Sequence, residues 1–106
     1  MIGVGIEIES FVLDAQPGFV AFTLVDANGK SWSFVDKVPV LTSELLDAQS
    51  TYPRRGWIAC TVVERRVGPD GRPRAVIDTS RPWGLSARTS ETTFEVLAVQ
   101  LEERSE

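Results

Sequence analysis

Residues 19–37 read FVAFTLVDANGKSWSFVDK, and the fold class turns on how this stretch pairs with itself. Two turns compete for it. A two-residue turn at Asn28-Gly29 sets Val25 opposite Trp32 and Leu24 opposite Ser33, which scatters the large side chains over both faces. A three-residue loop, Ala27-Asn28-Gly29, sets Asp26 opposite Lys30, Leu24 opposite Trp32 and Phe22 opposite Phe34. One face then carries the large apolar pairs, and the other carries Thr23 with Ser33 and Val25 with Ser31. A slip of one residue turns every side chain over, so burial selects the second register. Gly29 supplies the left-handed residue that closes such a loop in a G1 bulge. The stretch is a β-hairpin.

Upstream, Ile2, Val4, Ile6 and Ile8 fall on one face, with Gly3, Gly5, Glu7 and Glu9 on the other. Phe11 and Leu13 then take over in the opposite phase. A strand that changes phase needs an extra residue, which predicts a bulge or bend near Glu9–Ser10. Downstream, VPVLTSELLDAQSTYPRRG (38–56) breaks the period, and Thr42 is placed to cap a short helical turn through Ser43–Leu46. GWIACTVVERRV (56–67) has apolar residues in both phases, which reads as a central strand buried on both sides until Glu64-Arg65-Arg66 emerges. GPDG (68–71) is a turn with Gly71 as its left-handed exit. RAVID (74–78) returns as a fifth strand, and TTFEVLAV (92–99) reads as a sixth. For that last segment a helical stripe of Phe94, Leu97, Ala98 and Leu101 is the rival, and its β-branched residues favour strand.

At 106 residues the chain is expected to form a single domain over 1–106. The expected class is all-β: a small barrel or sandwich of five to six antiparallel strands, with one short helical turn between strands three and four. A bent first strand and a helical turn after the third also suit an OB-like Greek-key barrel. No family motif is matched, although the spread of KVPV, YP and PWG resembles that of small bacterial proteins.

Chemistry is sparse. The chain has no histidine, which removes the commonest general base and metal ligand. The one cysteine, Cys60, sits inside the predicted central strand, where a thiol behaves as a small hydrophobe. No metal-ligand spacing, dinucleotide fingerprint or P-loop occurs, so the expectation is a non-enzyme with no cofactor and no metal. No basic leader or long apolar run is present, and one cysteine implies no disulfide framework; a cytoplasmic location without membrane contact is expected.

Charge is the strongest hint. The net charge is −4, yet residues 54–88 hold eight arginines against Glu64, Asp70 and Asp78. Residues 1–53 hold two lysines against seven acids, and residues 89–106 hold Arg104 against five glutamates. Such segregation marks either a binding surface or arginines neutralised by acidic segments folded beside them. The candidate binding residues are Arg54, Arg55, Arg65, Arg66, Arg72, Arg74, Arg81 and Trp83. Trp83 stands in a Pro-Trp-Gly turn and is either a cap over the core against Leu45 or Leu46, or an anchor for a partner. Two functions follow. The first is a protein-binding module acting through the arginine-rich 54–84 region; the second is an OB-like binder of single-stranded nucleic acid. The acidic total counts against a long phosphate track.

Overall fold

The computed structural model describes residues 1–13, 18–37 and 49–104. Among them are β1 (Ile2–Leu13), β2 (Phe19–Val25), β3 (Ser31–Lys37), β4 (Arg54–Ala59), β5 (Thr61–Val67), β6 (Pro73–Asp78) and β7 (Thr93–Leu97). A 3-10 turn (Ala98–Gln100) leads into β8 (Leu101–Glu103). They form two antiparallel sheets. One runs β3-β2-β1-β4, with β8 also pairing β1; the other runs β5-β6-β7. The sheets do not close on each other.

The hairpin takes the register that burial demands, Phe22 opposite Phe34 and Leu24 opposite Trp32. Its loop closes through Asp26 N–H to the Lys30 carbonyl (2.8 Å) and Gly29 N–H to the Asp26 carbonyl (3.0 Å). Gly29 has φ +82°. Phe22 and Phe34 stack at 5.0 Å between centroids, and Phe94 of the other sheet packs on Phe34 (5.8 Å) and Trp32 (5.3 Å). One core results, built from the inward faces of both sheets, with Ile8, Leu24, Ile58, Ile77 and Val96 at its centre.

The bend in the first strand is present: pairing between β1 and β2 shifts between Ile8 and Ser10. The predicted helical turn at Thr42–Leu46 lies outside the described residues. One predicted strand is divided and another ends early. The strand predicted over 56–67, which begins at Arg54 in the structure, breaks at Cys60, whose N–H donates to Ile2 O (3.1 Å) as the last bond to β1, whereas Thr61 already pairs with Asp78 of β6. The chain thus leaves one sheet for the other within two residues. Burial in both phases holds only at this crossing, from Trp57 to Cys60; Val63, read from sequence as part of a doubly buried strand, is exposed, and so is Val67 beyond the point where the strand emerges. The segment after residue 92 also changes sheet, at the 3-10 turn. Phe94 and Val96 are buried there in strict alternation, and the helical stripe is not formed.

Candidate functional site

The eight candidate residues do not share one surface. Four lie on the β5–β6 hairpin, two on the loop after β6, and two at the start of β4. The run from Arg54 to Val67 starts in β4 of the first sheet and ends in β5 of the second. Arg54, half-buried opposite Ile8, and Arg55, opposite Glu7, therefore sit on a different sheet from the hairpin.

On the hairpin, acidic segments fold beside the arginines. Arg74 was expected on the surface but is 6% exposed. Its Nη1 donates to Asn28 Oδ1 (2.9 Å) and lies 3.8 Å from Glu95 Oε1, and its Nη2 lies 3.8 Å from Asp70 Oδ2. The hairpin loop of β2–β3 supplies Asn28, and Ala27 N–H donates to Glu95 O (2.8 Å), so this loop seals β7 and covers Arg74 together. A guanidinium desolvated this far is held by its carboxylate partners and is not available to a ligand. Arg66, opposite Arg74, pairs with Glu64 and with Glu95 (3.7 Å). Arg65 and Arg72 are exposed and make no ion pair with a described residue. Asp70 lies below the usual aspartate range, held there first by the Arg72 backbone N–H.

Arg81 Nε donates to Asp78 Oδ2 (3.2 Å). Ser80 donates to the same carboxylate through its hydroxyl and backbone N–H, and these two bonds lower the Asp78 pKa. Trp83 follows a cis Arg81–Pro82 bond and is 36% exposed. Leu45 and Leu46 lie outside the described residues; the partner that Trp83 does meet is Trp57, edge to face at 5.6 Å and 78°. Trp57 lies over Gly3, where a Cβ would collide with the indole and with the Ile58 carbonyl oxygen. Arg104 stands over its ring (5.0 Å), and its indole N–H donates to Glu102 O (3.2 Å). Trp83 thus roofs Trp57 on the outer face of the first sheet. Sequence alone missed this pair because Trp57 and Trp83 are joined only by tertiary packing.

A second feature has no counterpart in the sequence reading. One edge of β1 is shared: β8 pairs with Ile2–Val4, and β2 pairs from Glu7 onward. Gly5 and Ile6 lie at the handover. An open groove of about 520 Å³ runs there, lined by Gly5, Glu7, Thr23, Val25, Arg55 and Val99 among others. It carries both signs of charge. The Cys60 thiol is buried, and burial pushes its pKa up to about 11, so it is a poor source of thiolate. Among the described residues no cluster of carboxylates and cysteine has the makings of a metal site, and no helix is long and apolar enough to cross a membrane.

The open strand edge is the remaining element. Gly68 N–H donates to Arg72 O (2.9 Å), which sets the hydrogen-bonded phase of the hairpin. Alternation then directs Arg66 and Glu64 backbone groups at β6, and those of Arg65 and Val67 away from it. β5 ends its sheet, and no described strand pairs with it on the outer side. Val63 is 57% exposed and Val67 69%. Comparison of the chain with protein-family models, with curated proteins and with solved structures finds no match.

Proposed function

We propose that this chain is a non-catalytic protein-binding module of the cytoplasm that acts through the β5–β6 part of the arginine-rich region. One observation carries the reading: among the described residues the outer edge of β5 is unpaired and carries exposed Val63, Arg65 and Val67, and neither Arg65 nor Arg72 makes an ion pair. An unpaired strand edge with exposed apolar side chains is a surface on which another chain can dock, and arginine is enriched at protein interfaces. The bent β1, and a 54–67 run bonded first to β1 and then to β6, support reading the two sheets as walls of a small OB-like barrel. The nucleic-acid alternative is weaker. Its stacking platform would need exposed aromatics, and Phe22, Phe34, Phe94 and Trp57 are buried. Its phosphate track would need free cations, and Arg66, Arg74 and Arg81 are paired with acids.

The test uses wild-type protein and an Arg65→Glu/Arg72→Glu variant as bait, with and without nuclease, over a salt series. The expected result is a nuclease-resistant protein partner that the variant loses. Capture of nucleic acid alone, released steeply as salt rises, would replace this reading with the alternative.

A further inference from the structure

We propose that the outer edge of β5 is a strand-addition site for an extended acidic segment of a partner protein. That segment would set a carboxylate beside Arg65 and an apolar side chain beside Val67, two positions apart. The inference rests on the protein-binding reading above and names the partner's chemistry.

Three observations support it. The first is the state of the edges. The outer side of β7 is bonded by Ala27 N–H at Glu95 O, and the outer side of β3 accepts Arg88 N–H at Ser33 O (2.7 Å). Among the described residues β5 has no comparable bond: the N–H and C=O of Arg65 and Val67 point away from β6, and no described residue bonds them. An extended chain laid alongside would satisfy them by continuing the ladder. The second is side-chain phase. Arg65 stands opposite Ala75, and Val67 opposite the exposed Pro73, so Arg65 and Val67 share a face. A strand placed beside them meets a cation and an apolar side chain in alternation. Side chains directly across a ladder interact, and opposite charges are favoured there. On the other face Arg66 is already taken by Glu64 and Glu95, so it asks for no further acid.

The third observation decides the occupant. Two β5 edges could pair antiparallel, but the register centred on Arg65 sets that arginine against its own copy. Like charges directly opposite are destabilising. Arg65 therefore guards the edge against a second copy, as edge charges commonly do, while selecting an acidic strand.

The experiment uses the full chain labelled with 15N and three blocked nine-residue peptides. The first alternates threonine and valine with one central aspartate; the second carries lysine in place of the aspartate; the third keeps the first composition but has proline at two ladder positions. The aspartate peptide is expected to bind saturably and to slow amide exchange at Arg65 and Val67. The lysine peptide should bind about tenfold more weakly, as the swing from opposite to like charge across a ladder implies, and the proline peptide at least as weakly, because proline has no N–H to donate to the ladder. Arg65→Glu, an exposed position whose variant can be checked by its melting curve, should invert the preference between the aspartate and lysine peptides. Equal affinity for the two peptides, or binding that leaves the Arg65 and Val67 amides unprotected, would overturn the proposal. So would reversible self-association of the wild type that Val67→Glu abolishes, or retardation of single-stranded DNA that depends on Arg65. If the peptides fail while the Arg65→Glu/Arg72→Glu bait still loses its partner, the edge is rejected and the binding-module reading stands.

Discussion

Trp83→Ala separates the packing described above from a free-standing anchor. With 36% of the residue exposed, roughly 150 Å² of a ~250 Å² side chain is covered. At about 25 cal/mol per Å² that is at most ~4 kcal/mol, and a compact unfolded chain lowers it by roughly 10–40%. The site opens to solvent, so truncation leaves no sealed cavity, and the additional cost of core cavities does not arise. The expected loss is therefore about 2–3 kcal/mol, a fall in melting temperature of order 10 °C. Urea unfolding followed by fluorescence measures it. The same substitution uncovers Trp57, whose emission should move to the red. A double-mutant cycle with Trp57→Leu should return a coupling of about 0.5–1.5 kcal/mol, the value of an edge-to-face pair. A loss under ~0.5 kcal/mol, or additive effects of the two substitutions, would refute the pairing and leave Trp83 as a surface side chain.

Two further expectations follow from the hairpin. Phe22→Ala removes a ring stacked on Phe34 and should cost ~3–5 kcal/mol, whereas Thr23→Ala, on the outer face with a hydroxyl bonded to Glu9 (2.9 Å), should cost under a third of that; equal losses would contradict the register. Asp26 is the pH-sensitive position: desolvation pushes its pKa up, but the Trp32 indole N–H (3.0 Å) and the backbone N–H groups of Lys30 and Asn28 outweigh it and hold the carboxyl below its ordinary value. A carboxylate with a depressed folded pKa stabilises above its unfolded pKa of about 4 and loses that contribution as pH falls through the folded value; Asp26→Asn should flatten the stability profile below about pH 4, and an unchanged acid limb in urea titrations would count against the network.

Local patterning carried much of the fold. The hairpin register, the bulge after Ile8, the left-handed glycines at 29 and 71, and the all-β class were legible because each depends on side-chain alternation and turn chemistry within a few residues. Segregated charge likewise pointed to the β5–β6 hairpin, and the possibility that acids neutralise it was open from the sequence. What alternation cannot state is which sheet a strand serves at each point along its length. The run 56–67 looks like one central strand, buried as far as Val63, yet at Cys60 the chain exchanges β1 for β6, and beyond that crossing Val63 is exposed, as is Val67. Long-range packing also decided which arginines remain available: Arg74 is enclosed because Asn28, 46 residues earlier, folds over it, whereas no described strand lies along the outer edge at Arg65. Trp83 found Trp57 for the same reason. Contacts between residues far apart in sequence follow from how sheets stack, and no local period records them.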